Sequence, residues 1–424
     1  MTAVPVAVGA QQRILIPARD KPLADKPATV FSVGAEDGQD WELLSGVRNV
    51  AFDAQDNLYV LDGNNHRVLV FDPRGKFVRK ISQRGEGPGE LMAPTAMTVS
   101  TDGSIVVGDI GRRAFSIFKP DGSFVKNVLF EEGHAPGMGG GGSAALQAHP
   151  RGGVVARSMP FLMGRLGGRG PGSEPSSADL AKPTGEQKSP IKWFDIGTGK
   201  TTQLYELTMP SITPRVQESG GGQGERRVAV MMMAPIWGAP LGFGVLPSGG
   251  VAVVHEKDYR VKIVSPTGQV ERVIERPIAQ RKATEADQKK FMEARRESQR
   301  NGTAGGMQVR VENGRVSTGA NTSPARELQS VEQMLQNATF EESIPVLRRV
   351  DTDVFGRIWA SRTPADFGPR GPVDLIRADG TYIGTLTGQA VPDAVSRTGR
   401  AAYIERDELG VERVVVRTLP AAWR

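Results

Sequence analysis

Cysteine is absent from this chain of 424 residues, which excludes a disulfide framework, a thiolate nucleophile and a zinc-thiolate site. Only 4 histidines are present, so a site built from several imidazoles has few to draw on. No apolar run approaches the ~20 residues that cross a bilayer as a helix. Aromatic residues make up 6%, few for a surface that stacks nucleic-acid bases. The net charge of +6 comes from arginines scattered along the chain. Without a dense basic block, nucleic acid is not the expected partner. There is no GxSxG and no serine with a recognisable histidine partner. The runs GMGGGGS and GGRGPG do not join a strand to a helix, so they read as loops rather than phosphate cradles.

What the sequence does have is a repeat. NLYVLDGNNHRVLVFDPRGKFV, from Asn57 to Val78, returns without a gap as SIVVGDIGRRAFSIFKPDGSFV, from Ser104 to Val125, so that Asp62 answers to Asp109 and Gly75 to Gly122 at one spacing of 47 residues. Short apolar runs separated by glycine turns at that period predict blades of a β-propeller. The 52 Gly and 29 Pro fit such a turn-rich all-β chain.

Blade one is expected over Val47–Ser82 and blade two over Pro94–Phe130. Blade four starts near Leu241 and follows blade one at a constant offset, Asp62 matching His255 and Gly75 matching Gly268. Blade three is degraded, with GGVVARS from Gly152 as one strand and the stretch from Ile191 as two more. Blade five opens with RRVDTDVFGRIWAS, Arg348 to Ser361, and resumes at Val373. Blade six runs from Val391 to VERVVVRTLP and lacks a strand. Thr29–Val33 (TVFSV) is the unassigned strand-like segment upstream, and an open edge needs covering. The expected fold is therefore an all-β, six-bladed β-propeller over 29–424, closed by strand 29–33.

Three inserts interrupt it, at 131–189, 209–240 and 279–343. The first two, rich in Gly, Pro and Ser, are expected to be irregular loops. The third, between blades four and five, is expected to be a small helical insert of two short helices. Thr284 and Asp287 have capping-box spacing, and Ser323-Pro324 opens a second segment bearing Leu328, Val331 and Leu335 on one face. Residues 1–28 form an N-terminal tail. In it Ala3–Ala10 followed by Gln11-Gln12 resembles the end of a signal peptide and its cleavage site, which predicts a periplasmic or secreted protein.

The motif NNHRVLVF, Asn64 to Phe71, together with Asp62, resembles the NHL repeat. RGEGPGELMAP, Arg84 to Pro94, resembles the inter-blade linker of bacterial six-bladed propellers of that type, and DELGVERVVV, Asp407 to Val416, is similar to their final blade. The resemblance implies an exported protein of a group without assigned function. The wider superfamily includes amidating lyases, lactonases, and protein- or RNA-binding modules, so the fold does not choose among them.

Aligning the blades places Asp62, Asp109, Ser158, His255, Arg362 and Glu405 at the ends of the second strands, with Arg48, Arg348 and Arg349 just before the first strands on the same face. Such a polar funnel suits a protein or small polar ligand. The same aspartates also suit capping of their own turns and pairing with the following arginine. His255 and Arg362 depart from the repeat and stand out as ligand-binding candidates.

A metal site finds little support. His66 occupies the usual NHL turn position, and His134 and His149 lie in or beside the Gly-rich insert. Asp351 and Asp353 could suggest calcium, but Asp353 matches the turn residue Asp53. The expectation is no cofactor, with calcium or zinc as alternatives. Functionally the chain reads as a noncatalytic binding or scaffold propeller of the bacterial envelope, the alternative being a divalent-metal-dependent hydrolase or lyase of the lactonase or amidating-lyase type.

Overall fold

Blade one shows why the repeat folds as it does. Its strands a to d, Val47–Phe52, Leu58–Asp62, Arg67–Phe71 and Phe77–Ile81, pair antiparallel in chain order. Strands b and c are buried along their whole length, because neighbouring blades cover both faces of the sheet. Strand d alternates between half-buried and exposed positions before ending on the buried Ile81, as an outer strand with one wet face must. The computed structural model describes residues 11–130, 146–158, 182, 185–209, 211, 215–220, 226–231, 235–300, 307–312, 315–320, 338–407 and 410–423.

The chain is a six-bladed β-propeller. Blade two uses Pro94–Val99, Ile105–Asp109, Ala114–Phe118 and Phe124–Leu129. Blade three uses Leu146–Ala148, Val154–Arg157, Gln187–Phe194 and Thr201–Met209. Blade four uses Gly242–Val245, Val251–Val254, Arg260–Val264 and Val270–Glu275. Blade five uses Leu347–Thr352, Arg357–Arg362, Val373–Arg377 and Tyr382–Leu386. Blade six uses Ala394–Val395, Arg400–Arg406 and Glu412–Thr418, and its outermost strand is Ala28–Val33 from the other end of the chain.

The hydrophobic core lies between blades. Tyr59, Leu61, Val68 and Val70 of blade one pack with Met97, Ile105, Val107 and Phe118 of blade two, and the same kind of wedge joins blades six and one. The repeated glycine of the c–d turn belongs to this contact. Gly75 and Gly122 have φ of 84° and 91°, and a Cβ there would meet Phe31 at 2.6 Å and Ile81 at 2.9 Å. Each turn thus seats against the outer strand of the preceding blade, and only glycine offers both the left-handed backbone and the clearance.

The N-terminal segment does more than close the ring. Gln12–Leu15 lies parallel to the outer strand of blade four as a fifth strand, with Ile16 buried at 3% exposure. The chain then bridges blade five at Pro22 and Thr385 before reaching blade six. It forms a strap over three consecutive blades, which the reading of residues 1–28 as a tail did not foresee.

The inserts depart from expectation. The first was drawn too wide, because strands a and b of blade three and the start of strand c fall inside 131–189. The second is not an irregular loop: Arg215–Gly220 and Arg226–Met231 form a hairpin. The third carries one α-helix, Glu285–Arg300, begun by the reciprocal capping of Thr284 and Asp287, and then a hairpin of Met307–Glu312 and Arg315–Ala320. The expected second helical segment at 323–335 lies outside the described residues. The β-branched residues alternate along both strands, Val309 paired with Thr318 and Val311 with Val316, as strand propensity favours. The two hairpins join in one four-stranded sheet through Val228 and Ala229 against Val311 and Arg310.

Candidate functional site

The b–c face carries the residues that sequence alignment grouped there. Asp62 is fully buried. Its carboxylate accepts the Ser45 amide at 2.9 Å, the Asn65 amide nitrogen at 2.8 Å and Arg67 Nε at 2.8 Å. Burial pushes its carboxyl up against the opposing effect of those donors. Asp109 accepts the backbone N–H groups of Met92, Ala93 and Gly111 at 2.8, 2.9 and 3.0 Å. Both carboxylates thereby anchor the b–c turn and the entry to strand a. Ser158 is buried at the end of strand b in blade three.

The remaining members point to separate places. His255 Nε2 lies 3.3 Å from Lys262 Nζ, its ring edges onto Tyr205, and burial with the Lys262 charge holds it below the usual histidine range. Arg362 turns toward the strap, pairing with Asp20 at 2.8 Å beside the buried Asp374. Glu405 is held by both terminal nitrogens of Arg417 at 2.9 Å. Arg48 and Arg348 occupy β-bulges, where register shifts between Val47 and Asn49 and between Leu347 and Arg349 set one residue out of the ladder. Arg348 donates to the carbonyls of Gly368 and Pro369. Most of these groups thus engage protein partners in their own neighbourhoods.

A cavity of about 270 Å³ instead occupies the central channel toward the a–b turns, and the innermost strand of every blade contributes to its wall. Side chains stitch those strands together. Asn49 Oδ1 accepts the Met97 amide at 3.2 Å, Gln147 accepts Val245 N–H at 2.7 Å and donates to Phe243 O at 3.2 Å, and Thr352 donates to Val245 O at 2.6 Å. Gly244 permits the last contact, since a Cβ there would lie 2.5 Å from Thr352 Cγ2.

The cavity wall is polar on the side of blades five and six. Arg349 Nε donates to Asp351 Oδ2 at 2.6 Å; Asp351 is 4% exposed and its Oδ1 has no hydrogen-bond partner. Asp393 Oδ2 accepts the Ile404 amide at 2.8 Å. Burial, with the Asp351 and Glu405 charges, pushes the Asp393 carboxyl up to about 6, Arg349 opposing. Asp353 also lines the cavity, yet its carboxylate is taken up by Phe355 N–H, Arg357 and Trp359, as Asp53 is in blade one.

Sequence alignment grouped Arg349 with the b–c face and set Asp351 aside beside Asp353, although side chains two apart on an innermost strand share one face. Asp393 was missed, because Pro392-Asp393 precedes a strand of only two residues. His149, read as lying beside the Gly-rich insert, is buried in the a–b turn of blade three, stacked on Trp193 at 4.2 Å. Among the described residues, no three His, Asp or Glu side chains converge as a metal site would require, and no helix is long and apolar enough to cross a membrane.

Comparison with known proteins bears on the fold. Residues 38–130 match a family described as 6-bladed beta-propeller, DUF5128. Protein brain tumor of Drosophila melanogaster is 31% identical over 108 residues, a match covering 25% of this chain and 9% of that protein's length. Among solved structures, a protein of Bacteroides fragilis whose name describes it as exported is similar at 11% identity and TM-score 0.45, over 96% of this chain and 100% of that one. A DUF4221 member from Bacteroides vulgatus is similar at 10% identity and TM-score 0.43, over 93% and 97%. A gluconolactonase of Xanthomonas campestris is similar at 13% identity and TM-score 0.35, over 89% and 87%. The sheet order and the family match agree on a six-bladed β-propeller.

Proposed function

We propose that this chain is a noncatalytic binding propeller of the bacterial envelope and that its ligand is a small polar molecule taken into the central channel. The observation that carries the reading is the cavity of about 270 Å³ to which all six innermost strands contribute. Its volume is near the lower end for small-ligand pockets, which are typically ~300–1,000 Å³. The b–c face supports the reading less well, because its carboxylates already serve as acceptors for turn amides and arginines. Export forms part of the proposal on the composition of Ala3–Ala10, and native protein whose mature chain starts at Gln11 would support it.

A thermal-shift screen of small polar metabolites tests the ligand site. Ala148 and Ala394 line the cavity and are only half-buried, so Ala148→Leu and Ala394→Leu add bulk at its wall. Compounds that raise the melting temperature of the wild type and of neither filled variant support the channel. Compounds that shift all three proteins equally would move the site elsewhere.

A further inference from the structure

The channel's charges select among small polar ligands. Asp353 is spent on its own turn and on Arg357 and Trp359. Asp351 is shared with Arg349 through one oxygen only, and its other oxygen is buried without a partner. A buried acceptor left unmet costs about 1–3 kcal/mol, and such exceptions call for an explanation. Asp393 stands nearby as a second carboxylate, close enough for its charge and that of Asp351 to act on one another. Arg349 pairs with Asp351 without itself lining the cavity, and the cation on the wall is Arg397, which is exposed at the a–b end. Between these ends the wall sets Ala51, Ala148 and Ala394 beside Gln147 and Thr352, whose polar atoms are already engaged between the innermost strands.

We infer that the cavity takes a small organic cation, a primary amine on a short alkyl chain, whose ammonium donates to Asp351 Oδ1 and to the Asp393 carboxylate. The inference rests on the reading of the channel as the ligand site. An ammonium supplies the donor that Asp351 Oδ1 lacks, and its positive charge offsets two carboxylates faced by one guanidinium. The alkyl chain matches the alanine wall. A carboxylate or phosphate ligand would instead meet Asp351 and Asp393 as like charges.

Charge at Asp393 adds a pH dependence. The groups acting on it are the Ile404 amide, Arg349 and Asp351 from blade five, and Glu405 and the buried Tyr403 from its own blade. With its carboxyl titrating at about 6, an ammonium competes with a proton there, so affinity falls by up to ~10-fold per pH unit below that value.

The test is calorimetric titration of the intact protein with putrescine and with its uncharged analogue 1,4-butanediol, in phosphate rather than an amine buffer. Expected are saturable putrescine binding at pH 7.5, no butanediol binding, and at least ~10-fold weaker putrescine binding for Asp351→Asn and for Asp393→Asn, from loss of a charged hydrogen bond. If Asp351→Asn does not fold, Asp393→Asn and the wild-type pH series decide the matter. Equal binding of the diamine and the diol, or no effect of either substitution, overturns the amine while leaving the channel as a ligand site. Absence of putrescine binding also overturns the amine, and the metabolite screen against the filled variants then judges the channel separately.

Discussion

Arg349 and Asp351 stand two residues apart on the innermost strand of blade five and form a 2.6 Å ion pair, of which Asp351 lines the central cavity. The elements around them are apolar or hydrogen-bonded into the frame, so this pair is a charge placed where the fold alone would be served by valine or alanine. Buried polar groups of this kind cost stability, and proteins tolerate that cost at binding sites.

Asp393 makes the same point through pH. Its folded carboxyl titrates at about 6 against an ordinary value of 3.8, so the folded state binds its proton more tightly than the unfolded chain does. The stability this gives is complete below 3.8 and is lost as pH rises through about 6. Asp393→Asn keeps an acceptor for the Ile404 amide and cannot ionise. At pH 7.5 it is expected to gain on the order of 1–3 kcal/mol, measured by urea unfolding, with the gain gone at pH 3.5. Loss of stability at pH 7.5 would contradict the burial assigned to this carboxyl.

Asp374 joins blades four and five. Its side chain and that of Arg276 are wholly buried at 2.8 Å, and Tyr259 and Thr385 donate to it at 2.8 and 2.5 Å. Asp374→Ala leaves the buried Arg276 with Asp20 of the strap as its remaining counter-charge, takes from Arg362 one of its two carboxylates, and is expected to cost up to about 3–5 kcal/mol. Replacing both charges, as Arg276→Met with Asp374→Leu, is expected to cost far less. Equal losses in the two proteins would show that the ion pair is not what the single variant breaks.

The strap is expected to be required for a closed ring. Deleting residues 1–34 removes Ala28–Val33 from Glu412–Thr418 and bares a sheet edge, a template for association. The truncated chain should aggregate, and Ile16→Asp should destabilise by burying a charge beside blades four and five. A soluble, monomeric truncation by light scattering would refute the role given to the strap.

Gly75→Ala is expected to destabilise by at least ~1 kcal/mol, from left-handed backbone strain and from the 2.6 Å approach to Phe31. An alanine variant as stable as wild type in urea would mean that blades six and one do not meet as described.

Much of this molecule was legible in its sequence, and the limits have physical causes. The Asp62 and Gly75 positions recur because turn chemistry recurs, and their repetition gave the blade boundaries and even the reserve strand Thr29–Val33. The strap at Gln12–Leu15 was not legible, since four residues added to an outer edge carry no periodic signal of their own. The hairpin of Arg215–Gly220 and Arg226–Met231 hid in a stretch read as an irregular loop from its Gly and Pro content, and that of Met307–Glu312 and Arg315–Ala320 in an insert read as helical. For the site, alignment gathered Asp62, Asp109, His255, Arg362 and Glu405 by position along a blade, but position does not say which way a side chain turns. Arg362 faces outward to Asp20, whereas Asp351, set aside with its turn-forming neighbour Asp353, faces the channel.

The most direct test is to denature the protein after purification from its native source and identify released small molecules by mass spectrometry, alongside Ala148→Leu handled identically. A polar compound near one per chain from the wild type and absent from the filled variant is the predicted result. Identical extracts from the two proteins would contradict the assignment of the central channel as the ligand site.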